Sequence, residues 1–369
     1  MKYLAVLGRQ PEISLAELNI HFSTGPAATF SPIARGLALG VPQVASPVDI
    51  SRFGGTLKLA VELEQKPLEF LKGLPEGKIT IGVSDYSKRA SKKTATIEAL
   101  KLKKILVRHG RSVRVVEYKD AVLSTATSLH NGLSGKNERK VELIKVEDDW
   151  YKVIGVQDIE AYAKRDQARP ARDAKIGMLP PKLAQVLINL CGPLKLGATV
   201  LDPFCGTGVV LQEALLMGYK VYGTDINERM IEYSDKNLKH FNLDNYKVEA
   251  GDATTFKWNE EIDAVACEGY LGKPFSRIPN DMELKEQKQE CGSIVLGFLK
   301  NLSSQIKNDI PVVIAIPAWL RSDNTYERLD ILDEIDKLGY NVNNKSREGL
   351  LYHRSGQIVA RDIIILRKR

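Results

Sequence analysis

Residues 198–210 read Ala198-Thr199-Val200-Leu201-Asp202-Pro203-Phe204-Cys205-Gly206-Thr207-Gly208-Val209-Val210: an apolar run, an acid, two closely spaced glycines, then a second apolar segment continuing to Met217. A strand that ends in a carboxylate, turns on glycine and enters a helix brings backbone N–H groups against a ligand. The pattern predicts a pocket at the carboxyl end of a parallel strand. A glycine turn alone is weak evidence, so its companions decide. Lys220 to Thr224 reads as the next strand and is followed by Asp225, 23 positions beyond Asp202, about where an acid that meets ribose hydroxyls belongs. Tyr246 to Ala250 reads as a third strand and is followed by Gly251-Asp252-Ala253. Each acid by itself could be a turn or N-cap carboxylate. Three at successive strand ends form a line along the crevice where open α/β sheets bind ligands.

The same alternation of strand and helix extends on both sides. Pro181 to Leu190 has the periodicity of a helix, and Ile262 to Cys267 and Val312 to Ile316 read as further strands, the pattern of a doubly wound sheet. Glu348 to His353 and Gln357 to Leu366 flank Arg354-Ser355-Gly356, a turn signal for a closing antiparallel hairpin. The N-terminal half is different. Strands are expected at Lys2 to Leu7, Leu57 to Leu63, Lys78 to Val83, Ser112 to Glu117, Val141 to Val146 and Trp150 to Val156. Helices are expected at Ile13 to Phe22, entered through Ser14 and Glu17 at capping-box spacing, and at Ala95 to His109, with Ile97, Leu100, Ile105 and Leu106 facing inward. This irregular mixture predicts α+β packing. Between the halves, Gln157 to Lys182 is charged, proline-interrupted and poor in apolar residues, and reads as a linker.

Composition narrows the class. The chain of 369 residues is longer than one core usually holds, and its 43% hydrophobic and 27% charged content is that of a globular protein. The N-terminus meets Arg9 and Glu12 too early for a signal peptide and no run reaches membrane length, so no membrane association is expected. Cys191, Cys205, Cys267 and Cys291 are scattered, which predicts reduced thiols and no metal site. Of the net charge of +7, residues 1–178 hold 29 Lys and Arg against 20 Asp and Glu, while the remainder holds 24 against 26. The positive excess lies in the first half. Lys88, Arg89, Lys92, Lys93, Lys104 and Arg108 belong to a stripe opposed only by Glu98, which suits a phosphate backbone because it supplies charge without base recognition.

DPFCGTG at 202–208, the acid at Asp225 and Gly251-Asp252-Ala253 together resemble the cofactor site of class I S-adenosylmethionine methyltransferases, particularly the branch that modifies exocyclic amino groups of bases. Arg165-Asp166, Arg169-Pro170, Arg172-Asp173 and Gly177-Met178-Leu179-Pro180-Pro181-Lys182-Leu183-Ala184 resemble the linker and first helix of the tRNA guanine N2-methyltransferases with an N-terminal THUMP domain, the archaeal guanosine-ten type. Leu15-Ala16-Glu17-Leu18, Phe53-Gly54-Gly55 and Leu123-Ser124-Thr125-Ala126 also fit that family. The resemblance implies an α/β chain in which a Rossmann-like methyltransferase domain at 179–369 follows a ferredoxin-like piece at 1–65, a THUMP domain at 66–160 and a linker at 161–178. It implies S-adenosyl-L-methionine as cofactor and tRNA as partner, while the lack of a signal peptide or membrane run makes the cytoplasm the expected location. It leaves monomer, homodimer and a helper subunit open. By resemblance, Asp202, Phe204, Gly206 and Gly208 line the methionine part, Asp225 with Ile226 the ribose, and Asp252 with Ala253 the adenine. Met178 and Leu179 close the pocket.

One motif departs from that family. Amino-methyltransferases end the fourth strand in an acid or amide, two prolines and an aromatic, which hold the target amine in line with the methyl group and stack on the base. Here the strand ends in Glu268-Gly269-Tyr270-Leu271-Gly272. Aligned without a gap, Glu268 replaces the acid, Gly269 and Tyr270 the prolines, and Leu271 the aromatic. Sliding by one keeps Tyr270 as stacker but puts Cys267 at the acid position. The first alignment gives the catalytic set Glu268, Gly269 and Tyr270. The alternatives are the same chemistry on another base, or a tRNA-binding module whose site is vestigial.

Overall fold

The computed structural model describes residues 1–22, 29–42, 48–172, 178–344 and 349–369. Asp173 and Gly177 of the linker motif and Glu348 of the expected hairpin lie outside the described residues. The chain divides into two compact units, Met1–Tyr162 and Ala163–Arg369.

In the first unit the helices are α1 (Pro11–His21), α2 (Pro67–Lys72), α3 (Lys92–Arg108) and α4 (Thr125–His130). The strands are β1 (Tyr3–Leu7), β2 (Phe30–Ala34), β3 (Leu37–Gly40), β4 (Thr56–Glu62), β5 (Ile79–Asp85), β6 (Val113–Val115), β7 (Lys140–Val146) and β8 (Asp149–Val156). They form one sheet in the order β2-β3-β1-β4-β8-β7-β5-β6. The expected boundary at 65 therefore does not separate two bodies, because β4 pairs antiparallel with β8 from Lys58 opposite Val156 to Glu62 opposite Tyr151.

Two local expectations are corrected. Ser14 and Glu17 do not cap α1: the helix starts at Pro11, and Glu17, fully buried, accepts hydrogen bonds from Gly54 N at 2.9 Å and Gly55 N at 2.8 Å. A Cβ on Gly55 would lie 2.8 Å from Ser14 Cα, so glycine is required for that approach. On α3 the buried face is Ala95, Ala99 and Leu106, while Ile97 and Leu100 are exposed. The alanines let the helix sit close to the sheet, Leu106 packs inward as expected, and Ile97 and Leu100 fall on the outer face.

The alternating strand β4 hides a charge. Lys58 is 2% exposed and donates to Leu123 O at 2.7 Å, Ser128 Oγ at 2.9 Å and Glu142 Oε1 at 2.5 Å. Ser84 and Ser128 donate to the same carboxylate, each at 2.6 Å. A buried ion pair costs stability when one member is removed, because the other charge is left without its partner. Lys58→Met is expected to destabilise the unit by about 3–5 kcal/mol in urea unfolding, and adding Glu142→Leu should recover part of that loss.

Helix α5 (Ile159–Gln167) carries the chain into the second unit, where α6 (Pro181–Leu190) precedes the sheet. The expected linker is thus partly helix, and Arg169 and Ala171 beyond it are buried. The alternation runs β9 (Thr199–Asp202), α7 (Val209–Leu216), β10 (Lys220–Asp225), α8 (Glu228–His240), β11 (Tyr246–Ala250), β12 (Ala264–Glu268), α9 (Asp281–Ser303) and β13 (Pro311–Leu320). It closes with β14 (Tyr326–Arg328), α10 (Leu332–Lys337), β15 (Tyr340–Val342), β16 (Leu351–Tyr352) and β17 (Val359–Lys368). The main path is β11-β10-β9-β12-β13-β17-β15, parallel from β11 to β13, with β17 antiparallel to β13. β16 pairs antiparallel with β17, the closing hairpin. The chain leaves β9 on one side for β10 and returns on the other as β12, which opens a crevice at their carboxyl ends. Among the described residues no helix is long and apolar enough to cross a membrane, and no group of His, Cys, Asp and Glu could hold a metal ion. All four cysteines are buried and free.

Candidate active site

The turn after β9 passes through the left-handed region twice, at Gly206 (φ 51°) and Gly208 (φ 81°), a conformation open to glycine and costly for other residues. Gly206 N, freed by that turn, donates to Asp225 Oδ2 at 3.0 Å, and Asn227 N donates to the other oxygen at 2.9 Å. Asp202 is buried and accepts from Phe204 N at 3.1 Å. Ser234 on α8 donates to Gly206 O at 2.8 Å, and a Cβ on Gly208 would lie 3.2 Å from Ser234 Cβ. The loop is locked from the α8 side. Phe204 is half-buried, with its ring edge-on to Phe298 at 5.3 Å. Ile226 is 74% exposed beside Asp225.

Asp252 follows β11 as expected, and its Oδ1 accepts from Thr254 N and Thr254 Oγ1, each at 2.8 Å. That is the turn role weighed for it, with Asp252 itself exposed. Ala253 is buried, and its carbonyl accepts from Asn301 Nδ2 at 3.0 Å. Met178 is half-buried, its sulfur 3.8 Å from Arg169 Nη2, and Leu179 is buried. Arg169, missed as a site residue, donates through Nη1 to Thr207 Oγ1 at 3.2 Å and through Nη2 to Asp166 Oδ1 at 3.1 Å. Asn237 donates to Thr207 O and Ala171 O, each at 2.9 Å. The segment expected to be linker therefore braces the glycine turn.

Glu268 ends β12 in parallel register with Ala315 on β13, and Ala315 faces Ile363 on β17. Arg361, two residues before Ile363, shares that face of the sheet. The guanidinium reaches over Ala315 and Pro317 to Glu268, donating from Nε to Oε1. Arg361 was not anticipated. Its signal was a charge inside the apolar run Val359-Ala360-Arg361-Asp362-Ile363-Ile364-Ile365, where a buried cation requires a partner. Cys267 points to the opposite face, fully buried in the core with Ile314 and Ile316, so the sliding alignment leaves no group at the acid position. Gly269 N donates to Ala315 O at 2.9 Å, adding a rung beyond β12. Tyr270 packs partly against the core, and its hydroxyl donates to Glu290 on α9 at 3.3 Å. Gln287, beside Glu290, accepts from Lys273 N at 2.6 Å. Further along the loop Phe275 packs against the core and Arg277 pairs with Glu283 at 2.7 Å, while Arg354 in the closing hairpin lies against Tyr352. Trp319 is fully buried.

The cations expected to meet phosphate, Lys88, Arg89, Lys92, Lys93, Lys104 and Arg108, are all exposed in the first unit. Lys92 and Lys93 occupy the first turn of α3, where positive charge opposes the helix dipole. Their presence there does not serve the helix.

The electrostatics around the glycine turn are uncompensated. Burial pushes Asp202 well above the ordinary carboxylate value; the Phe204 N–H opposes this, and Asp225 and Glu268 raise it further by repulsion. Burial also raises Asp225 and Glu268, against two backbone donors in the first case and Arg361 in the second. A carboxyl whose folded pKa is raised contributes stability below its unfolded value, near 4, and that contribution is lost as pH rises through the folded value. Asp202→Asn is expected to raise the thermal midpoint at neutral pH and to flatten the decline the wild type shows on going from acid to neutral, as read by calorimetry across pH.

A family described as a methyltransferase domain matches residues 194–343, and one described as a DNA methylase matches residues 101–236. The chain is 42% identical over 157 residues to the tRNA (guanine(10)-N2)-dimethyltransferase of Methanothermobacter thermautotrophicus, covering 42% of this chain and 44% of that protein. It is 32% identical over 162 residues to the protein so named in Methanocaldococcus jannaschii, covering 43% and 45%. The chain spans less than half the length of these curated relatives. The crystal structure of TrmN from Thermus thermophilus aligns over 100% of both chains with a TM-score of 0.49 and 18% identity. Over those lengths the chain is similar to proteins named tRNA (guanine(10)-N2)-dimethyltransferase, and its second unit has the Rossmann-like class I methyltransferase fold.

Proposed function

We propose that the chain is an S-adenosyl-L-methionine-dependent methyltransferase acting on the exocyclic N2 amino group of a guanosine in tRNA, in the cytoplasm. The observation that carries this reading is the group of carboxylates at neighbouring strand ends, buried Asp202 with half-buried Asp225 and Glu268, of which Glu268 pairs with Arg361. Such a wall favours a cationic ligand, and the sulfonium and ammonium of S-adenosylmethionine fit that demand. When bound, this group supplies a methyl carried on sulfur, whose bond breaks with its electron pair going to sulfur as the bond to nitrogen forms.

The chain's own residues do the rest. Asp225 and Ile226 hold the ribose end, Asp252 and Ala253 the adenine end, and Asp202, Phe204, Gly206 and Gly208 the methionine end, with Met178 and Leu179 over the pocket. Glu268 accepts a hydrogen bond from the target N–H, which aligns the nitrogen lone pair and receives the proton that must leave. Gly269 sets the distance of the loop from β13. Tyr270, steadied by Glu290, offers its ring to the base. Residues 1–65 and 66–160 act as ferredoxin-like and THUMP halves of one RNA-binding unit, with the exposed cations of α3 and the residues just before it meeting phosphate. The basic first half supports RNA over a protein target. A second reading, a tRNA-binding module with a vestigial site, is favoured by the ion pair that occupies Oε1 of Glu268.

Labelled S-adenosylmethionine with unmodified tRNA transcripts, followed by digestion to nucleosides, is expected to yield N2-methylguanosine. Binding of both ligands without transfer would favour the module instead. Asp225→Ala is expected to weaken cofactor binding roughly 10- to 100-fold, the loss of charge-assisted hydrogen bonds, while tRNA affinity stays within about twofold; calorimetry for the first ligand and filter binding for the second check it.

A further inference from the structure

Glu268 differs from the shorter acid of related enzymes by one methylene, which gives its carboxylate an extra rotatable bond at the point where position matters most. We propose that Arg361 is the positioning residue of the transfer: it pins Oε1 of Glu268 and leaves Oε2 as the oxygen that meets the substrate amine. The inference rests on the proposed function.

Three observations carry it. The pair joins residues 93 positions apart on strands separated by β13, across the positions of Ala315 and Pro317. The contact is single: Arg361 donates through Nε to Oε1, and among the described residues no donor is recorded for Oε2. The two side chains are also unequally covered, Arg361 at 6% exposure and Glu268 at 17%, so the carboxylate retains more access to solvent than the cation that holds it. A structural ion pair on a sheet face would gain most from two parallel hydrogen bonds. A one-oxygen contact instead orients the group and leaves acceptor capacity for something else. Asp202, whose carboxyl is raised partly by Glu268, lies close enough to repel Glu268 if it swings toward β9, so Arg361 also sets the side on which Glu268 rests.

The test compares Arg361→Gln, Arg361→Lys, Glu268→Gln and the double Glu268→Gln/Arg361→Gln variant, each with kcat, KM for tRNA and cofactor Kd. Arg361→Gln is expected to lower kcat about 10- to 100-fold, the cost of displacing an orienting group by about an ångström, with KM and Kd within about twofold. Arg361→Lys should recover part of the rate. In the Glu268→Gln background, removing Arg361 should change kcat by less than about twofold, because the group it orients is already lost. A wild-type rate in Arg361→Gln, or an equal loss in both backgrounds, would overturn the assignment. Should Arg361→Gln not fold, Arg361→Lys carries the comparison, and an unchanged kcat there with Glu268→Gln impaired overturns it equally. Absence of transfer by the wild type on any nucleic acid would sink the proposed function itself, an outcome distinct from an active enzyme indifferent to Arg361.

Discussion

The second unit depends on the backbone passing twice through left-handed conformations between β9 and α7. Without Gly206 and Gly208 the strand could not reverse into the helix within so few residues, and Gly206 N could not turn toward Asp225. The bond it makes ties the ends of neighbouring strands together. Ser234 then holds Gly206 from α8, and Arg169 and Asn237 hold Thr207 from the other sides. A loop fastened from several directions keeps a pocket in shape before any ligand arrives, which is where electrostatic stabilisation gains its strength.

The two units solve the problem of buried charge differently. In the first, Lys58 and Glu142 are joined with two serines and a carbonyl into a network that crosses β4, β5, β7 and α4. It sits where the segments before and after residue 65 join in one sheet, so the charge pair contributes to the specificity of that joining. In the second unit the carboxylates outnumber the cations near them. Burial raises the pKa of Asp202, Asp225 and Glu268, with that imbalance adding to it at Asp202, and so disfavours their charged forms.

Local chemistry was legible in the sequence. The acid–glycine turn, the strand ends at Asp225 and Asp252, the helix at Pro181–Leu190 and the antiparallel hairpin at Arg354-Ser355-Gly356 all follow from short-range rules of sterics and periodicity. What was not legible depends on distant partners. Nothing in the expected strand Leu57 to Leu63 marks Lys58 as buried, and its burial follows from Glu142, 84 residues away. Ser14 and Glu17 had capping spacing, yet Gly54 and Gly55 offered Glu17 two donors that outcompete a helix end. On α3 the larger side chains suggested the core face, but the sheet took the alanines, and periodicity cannot choose between two faces that both carry apolar residues. Arg361 belongs with these cases: only the register of β17 against β13 brings it to Glu268.

The N–H of Gly269 completes a rung with Ala315 just beyond the end of β12. Proline has no N–H to give. A proline at this position would therefore delete the rung, so the hydrogen bond that carries the sheet one residue past β12 also fixes where the following loop can begin to depart from β13.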